Sequence, residues 1–115
     1  MKLPNGDRAI VDVRKLSSYC LNPDHERGGD KSRVFAAALG MTTDDADELR
    51  QLLLLAAATG DAEATGMSKY GQLFVLDFEV ARGPWTARVR SGRIIRSGED
   101  VPRLTTCYVR RRGQS

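Results

Sequence analysis

The stretch NPDHERGGDKS, residues 22–32, brings together residue types that carry proton and phosphate chemistry. It contains His25, the one histidine of the chain, and Lys31 a few residues later. The ordinary pKa of a histidine suits proton transfer near neutral pH, and a lysine ammonium stabilises the charge of a pentavalent phosphate. We therefore take His25 and Lys31 as candidate catalytic residues. The alternative is that this stretch only joins two helices.

The GGDKS string within this stretch resembles part of the phosphate-binding loop GxxxxGK[ST]. Asp30 occupies the position of the glycine before Lys31, and a helix rather than a strand is predicted before the loop. These two departures exclude a nucleotide hydrolase of that class. A helix that begins after the glycine pair can still hold a phosphate of another ligand. Arg33, in the first turn, is therefore a candidate substrate-binding residue.

A second group of polar residues lies on predicted strands near the C-terminus. Arg88 and Arg90 are two residues apart and so project from one face of a strand, as do Thr106 and Tyr108. Arginines beside hydroxyl groups bind anions, and a tyrosine ring can stack on a base. We assign Arg90, Thr106 and Tyr108 to the catalytic set. The other candidate substrate-binding residues here are Arg88, Ser91 and Thr105. The alternative is an ordinary solvated face with cross-strand pairs.

Helical periodicity predicts three helices between about residues 12 and 59, which must position the histidine and lysine. Their predicted N-caps are Asp12, Asp30 and either Thr42 or Thr43. The first helix contains apolar residues three and four apart and closes before a proline.

After residue 60 the period of the apolar residues changes from 3.6 to 2, which predicts strands. The predicted strands cover about residues 62–67, 74–80, 85–89, 93–96 and 104–109, with a bend at Gly92. We expect an α+β fold, with three N-terminal helices on one face of a roughly four-stranded antiparallel sheet. Residues 1–115 form one predicted domain, with a helical part at about 12–59 and a sheet part at about 62–110.

The composition indicates a soluble protein, with 41% hydrophobic and 29% charged residues. The longest apolar run, residues 52–58, is too short to span a membrane, and the first residues do not form a secretion signal. We expect a cytoplasmic protein that does not bind membranes, unless the chain is the delivered tip of a larger exported protein.

The charge of the chain is unevenly distributed. Residues 84–115 hold eight arginines against two acidic residues, whereas residues 1–83 hold ten basic and thirteen acidic residues. This asymmetry favours an anionic partner, RNA or another anionic ligand. The alternative is a basic edge that only keeps the domain in solution.

The cysteines, Cys20 and Cys107, are far apart in sequence and lack any CxxC or Cys/His spacing. We predict two buried free thiols. One histidine and two isolated cysteines exclude a structural zinc site, so we expect no metal and no cofactor.

Both ends of the chain resemble a bacterial family of uncharacterised domains. The N-terminal part is LPNGDRAIVDVRKLSSYCLNPDHERGGDKSRVFAAALG, and the C-terminal part is VRSGRII followed by DVPRLTTCYV. The family pattern has proline where Glu26 stands and alanine where Ser32 stands. The resemblance implies a domain found alone or at the C-terminal tip of polymorphic bacterial toxins, beside small antitoxin or immunity proteins. It implies no established reaction.

The order of helices followed by an antiparallel sheet also resembles the fold of barnase, EndoU, colicin and RelE-type ribonucleases. Those enzymes cleave RNA without metal, with scattered His, Lys, Arg, Thr and Tyr residues. This likeness implies that the chain is a toxin-like ribonuclease, if His25 lies within reach of Arg90 and Tyr108. The alternative is a non-enzymatic module whose basic sheet face docks an acidic protein or nucleic acid. A neutralising partner of a toxin is a third hypothesis, but such proteins are more often acidic.

Overall fold

The computed structural model describes residues 1–110 and places two α-helices before a four-stranded antiparallel sheet. Helix α1 covers Gly29–Leu39 and helix α2 covers Ala46–Thr59. The strands are β1 (Ala62–Ser68), β2 (Gly71–Arg82), β3 (Trp85–Arg96) and β4 (Arg103–Arg110), in the spatial order β1-β2-β3-β4. Short helical turns cover Gly6–Arg8, Leu16–Cys20 and Thr43–Asp45. The predicted α+β class and the antiparallel sheet are confirmed.

The prediction of three N-terminal helices is only partly right, because the first is a single π-helical turn, Leu16–Cys20. In this turn the Leu21 amide donates to the Leu16 carbonyl over 2.8 Å. The wider π turn buries Leu16, Cys20 and Leu21 together, which a regular α-helix would not do. The two serines between them are poor helix formers, and Pro23 follows. The segment therefore contributes one turn and not a long helix.

The predicted N-cap Asp30 is also wrong, because α1 begins one residue earlier, at Gly29. Asp30 lies in the first turn of the helix, where its negative charge interacts favourably with the positive end of the helix dipole. Its carboxylate also pairs with Arg33. The predicted cap Thr42 is only partly right. Its side chain forms a capping box with Asp45 at the start of the short turn Thr43–Asp45, which leads into α2, and the N-cap of α2 itself is Asp45.

The two predicted strands at 85–89 and 93–96 form the single strand β3, because the irregularity opposite β4 lies between Gly92 and Arg93 and does not end the strand. A Cβ on Gly92 would lie 2.8 Å from the Thr105 Oγ1. The glycine thus lets the bulged edge strand approach β3 closely.

The core lies between the helices and one face of the sheet. Its largest buried members include Phe35, Leu39, Leu49, Leu53, Leu76 and Val89. On the other face, Asp77, Arg90 and Tyr108 stand in register across β2, β3 and β4. Within residues 1–110, no helix is long and apolar enough to cross a membrane.

Candidate active site

The side chain of Lys31 leaves the first turns of α1 and reaches the edge strand β4. Its Nζ donates to the Tyr19 hydroxyl over 2.8 Å and to the Thr106 hydroxyl over 2.9 Å. The same nitrogen lies 4.8 Å from the ring centre of Tyr19 and 5.6 Å from that of Tyr108. We call these residues, together with His25, the Lys31 cluster.

The Lys31 cluster is rich in hydrogen-bond donors. Both hydroxyl oxygens accept from Lys31, so the O–H groups of Tyr19 and Thr106 can each donate to another acceptor. Within residues 1–110, no carboxylate lies within ion-pair distance of Lys31, although the chain forms many ion pairs elsewhere. A half-buried ammonium beside two hydroxyl donors suits an anion.

His25 joins the cluster through Tyr19. The two ring centres are 4.8 Å apart with the ring planes at 70°, an edge-to-face contact. The His25 Nδ1 accepts hydrogen bonds from the amides of Arg27 and Gly28, over 3.0 and 2.9 Å. A nitrogen that accepts two such bonds carries no proton, so the proton of the neutral imidazole lies on Nε2. In this tautomer His25 is a hydrogen-bond donor toward a ligand.

The glycine pair of the GGDKS string allows the loop to pack against the π-helical turn. A Cβ on Gly28 would lie 2.2 Å from the Tyr19 carbonyl oxygen, and one on Gly29 would lie 2.9 Å from the Pro23 carbonyl oxygen. Real Cβ atoms do not approach so closely. The glycines therefore bring His25 and Lys31 toward Tyr19, which explains the pair without a phosphate-binding loop.

Arg90 lies at the sheet side of the cluster, directly opposite Tyr108. Its guanidinium donates twice to Asp77, over 2.8 and 3.0 Å, and also contacts the Tyr108 hydroxyl. Arg110 donates to the same Asp77 carboxylate over 2.9 Å. The hydrogen bonds, from Arg90 first, hold the pKa of Asp77 below its usual value. Arg90 and Arg110 thus share one carboxylate, which holds Arg90 in place beside Tyr108.

Two of the candidate substrate-binding residues are paired with carboxylates outside the Lys31 cluster. Arg33 pairs with Asp30 on the exposed side of α1. Arg88 pairs with Glu79 across β2 and β3, with 2.8 Å between Nε and Oε1. These contacts fit the alternative of a solvated surface better than a dedicated anion site.

Ser91 and Thr105, the other two candidates, lie in different environments. Ser91 is fully buried on the core side, where its hydroxyl donates to the Leu76 carbonyl over 2.8 Å. Thr105 is exposed at the bulge of β4, beside a surface cleft that Tyr70 and Arg96 also line. Neither residue contacts the Lys31 cluster, so we leave both out of the proposed site.

Sequence reasoning missed Tyr19, which links His25 to Lys31. The signal was obscured because Tyr19 lies in the π-helical turn, where helical periodicity no longer gives the direction of a side chain. It also missed Arg93, a buried arginine. Arg93 is four residues after the apolar Val89 in β3, so the alternation of side chains along the strand places both on the core face.

The two thiols are buried and free, as predicted. Cys20 follows Tyr19 in the chain, and Cys107 lies between Thr106 and Tyr108. Across residues 1–110, no group of three or more His, Cys, Asp or Glu side chains could hold a metal ion.

Comparison with known proteins gives one match. No curated protein and no solved structure matches the chain. A family model described as a domain of unknown function, DUF6883, matches residues 2–111, nearly the whole sequence. This agrees with the resemblance of the sequence to uncharacterised domains. The chain belongs to the DUF6883 family of domains of unknown function.

Proposed function

We propose that this domain is a toxin-like ribonuclease that cleaves RNA by metal-independent transesterification. The observation that carries the proposal is the hydrogen-bonded Lys31 cluster, in which one cation without a carboxylate meets two hydroxyl donors. His25 is in contact with Tyr19, and Arg90 with Tyr108. A series of pairwise contacts through Tyr19 therefore links His25 to Lys31, Thr106, Tyr108 and Arg90. The proposal requires in addition that His25 lie within reach of Arg90 and Tyr108.

In this reaction the 2′-hydroxyl of a nucleotide loses its proton to water and its oxygen attacks the adjacent phosphorus. The bond from phosphorus to the 5′-oxygen breaks as a 2′,3′-cyclic phosphate forms, and the 5′-oxygen takes a proton from water. Negative charge increases on the non-bridging oxygens in the transition state. Lys31 stabilises that charge, and the Tyr19 and Thr106 hydroxyls donate to the same oxygens. Donors that are already held in place need little reorganisation when the charge develops.

His25 and Arg90 take narrower roles than their residue types alone suggest. With its proton on Nε2, the neutral His25 donates a hydrogen bond to the leaving oxygen or to a phosphate oxygen, keeps that proton, and does not accept the 2′-hydroxyl proton. Arg90 is held by Asp77 and orients Tyr108, whose ring offers a stacking surface to a base. We therefore place Arg90 as a positioning residue.

A second candidate function is binding of RNA without cleavage. The hydrogen bonds to the His25 Nδ1 favour it, because they leave the cluster with donors and without an evident general base. The same Lys31 cluster would then hold a backbone phosphate. A third arrangement, in which the sheet face docks an acidic protein, is less favoured. Arg88 and Arg90 on that face already pair with Glu79 and Asp77, so a partner's carboxylates would have to compete with these ion pairs.

The toxin-like context rests on the resemblance of the sequence to toxin tips and on the likeness to small ribonucleases. It implies a small antitoxin or immunity protein as partner. Expression of the chain inside bacteria should therefore arrest growth. Expression of Lys31→Met at the same level should not.

The direct test incubates the purified protein with total bacterial RNA in the presence of EDTA. We expect discrete products with 2′,3′-cyclic phosphate ends, and their loss in Lys31→Met, which keeps the length of the side chain but removes its charge. Lys15→Met, at an exposed lysine, is the matched control and should cleave normally. Intact RNA that is retained by the native protein and released by Lys31→Met would favour the binding function. RNA that is neither cut nor bound would refute both.

A further inference from the structure

A pair of buried thiols lies next in the chain to two residues of the Lys31 cluster. Cys20 and Cys107 are both fully buried in the same hydrophobic core cluster. The hydrogen bonds of Lys31 to Tyr19 and Thr106 independently bring the two segments together, since these residues precede Cys20 and Cys107 in the chain. The thiol pair therefore joins the π-helical turn, which contains Cys20, to β4, which contains Cys107.

A second cation, the buried Arg93, acts on the thiol of Cys107. Arg93 is only 1% exposed, and no carboxylate pairs with it among residues 1–110. Its Nε donates to Ser91 and its Nη2 to the Leu53 carbonyl, each over 3.0 Å, while its Nη1 is buried without a hydrogen-bond partner. A buried charge without a counter-charge is costly. The acidic group that interacts with Arg93 is the thiol of Cys107.

Lys31 acts electrostatically on both thiols, and Arg93 acts on Cys107. The hydrogen bond with Cys107 lowers the pKa of Cys20 to about 7, with a smaller contribution from Lys31. The same pairing and burial raise the pKa of Cys107. One negative charge shared by the pair compensates the surrounding cations. A thiolate in contact with a neutral thiol is the arrangement that oxidises to a disulfide.

We propose that Cys20 and Cys107 are a modification site, at which a hydroperoxide forms a reversible disulfide that disables the Lys31 cluster. The burial of both thiols in one core cluster and their place next to Tyr19 and Thr106, which Lys31 holds together, support this assignment.

The chemistry uses hydrogen peroxide as the two-electron oxidant. The Cys20 thiolate attacks one peroxide oxygen, the O–O bond breaks, and Cys20 becomes a sulfenic acid as hydroxide leaves and takes up a proton. Cys107 then attacks the Cys20 sulfur, an S–S bond forms, and a second water leaves. In total, two thiols and one peroxide give one disulfide and two waters. The peroxide gains access when the short turn Leu16–Cys20 opens locally.

The effect on the site follows from both charge and geometry. A disulfide carries no charge, so Arg93 and Lys31 lose the negative charge that compensates them. The S–S bond is also shorter than a hydrogen-bonding contact, and it pulls the chain at Tyr19 and Thr106. These residues hold Lys31, so its two hydrogen bonds are disturbed. This loss of activity rests on the proposed function, whereas the disulfide itself does not.

The experiment exposes the native, reduced full chain to hydrogen peroxide and measures its mass and its peptide map. We expect the loss of two hydrogen atoms, a crosslinked peptide pair containing Cys20 and Cys107, and reversal by dithiothreitol. Cys107→Ser should stop at a sulfenic acid on Cys20 that dimedone traps, and Cys20→Ser should not react. Arg93→Met should slow the reaction severalfold, because it removes one of the two cations that stabilise the thiolate.

Two results would overturn the proposal. One is a folded protein whose thiols remain reduced when exposed methionines are already oxidised. The other is a disulfide that forms only between chains. The mass measurement involves no RNA, so it decides the modification whether or not the protein cleaves RNA. If the native protein is an active ribonuclease, an oxidised protein with full activity would overturn the regulatory part alone.

Discussion

The Lys31 ammonium donates to the Thr106 hydroxyl over 2.9 Å and thereby joins the first turns of α1 to the edge strand β4 across 75 positions of the chain. This hydrogen bond brings together the two groups of candidate residues, one in the loop before α1 and one on the sheet. Tyr19 completes the connection from the opposite side, with its hydroxyl 2.8 Å from the same nitrogen. The site is therefore assembled by three segments that are distant in sequence.

Replacement of Tyr19 by phenylalanine tests the role of its hydroxyl. The ring and its contact with His25 remain, but Lys31 loses one acceptor and the transition state loses one donor. We expect RNA cleavage to fall by about a hundredfold, the effect typical of one lost donor. Tyr70→Phe is the matched control, because Tyr70 is exposed and is not part of the Lys31 cluster. Equal rates for the two variants would remove Tyr19 from the mechanism.

Replacement of Gly28 by alanine tests the packing that positions the histidine loop. The new Cβ would lie 2.2 Å from the Tyr19 carbonyl, so the loop and the π-helical turn must move apart. We expect a loss of about 2 kcal/mol in the free energy of unfolding, measured by urea denaturation. We also expect lower cleavage by the folded variant. An unchanged stability would show that the loop does not pack in this way.

Replacement of Asp77 by asparagine tests the pair that holds Arg90. The pKa of Asp77 is lowered in the folded state, so its contribution to stability is present above its unfolded pKa, about 4, and is lost as the pH falls through the folded value. Asp77→Asn should lose about 1–2 kcal/mol at pH 7. As the pH falls below 4, the free energy of unfolding of this variant should decrease less than that of the native protein, because the variant has no carboxylate to protonate at this position.

The control for this measurement is Asp24→Asn, at an exposed carboxylate that pairs with no cation among residues 1–110. It should follow the native curve at every pH. If Asp77→Asn also follows the native curve, the ion pair with Arg90 contributes nothing to stability.

The thiol pair predicts a second pH dependence, on the alkaline side. The pKa of Cys20 is about 7 in the folded state, against an ordinary value of 9.0. Between these values the unfolded chain holds a proton that the folded chain has released, so stability rises with pH, by at most about 1.4 kcal/mol per unit. Above 9.0 the trend reverses, because the raised pKa of Cys107 keeps its proton in the folded state.

This dependence is measured as the urea midpoint from pH 6 to about 10, with the native protein compared with Cys20→Ser. The variant should lack the rise, since it cannot share a negative charge between two sulfurs. Parallel curves for the two proteins would show that the pair carries no charge in the folded state.

Local patterns in the chain were sufficient to predict the two long helices and an antiparallel sheet, although they divided β3 into two strands. Alternation of apolar and polar residues identifies which face of β2 is buried, because successive side chains on a strand point to opposite sides. The threonine cap before α2 is equally local, since it depends on neighbouring residues alone. The choice of Arg90 and Tyr108 as neighbours followed from the same alternation, and their register confirms it.

Tertiary structure alone decided the features that join distant segments. The π-helical turn at Leu16–Cys20 depends on which side chains the core must bury, and this directs Tyr19 toward Lys31. Whether an arginine is available to a ligand depends on carboxylates that the fold places beside it, as Asp77 lies beside Arg90. These two contacts join residues 12 and 13 positions apart and leave no periodic signal, so composition and spacing predicted the types of residue at the site but not their partners.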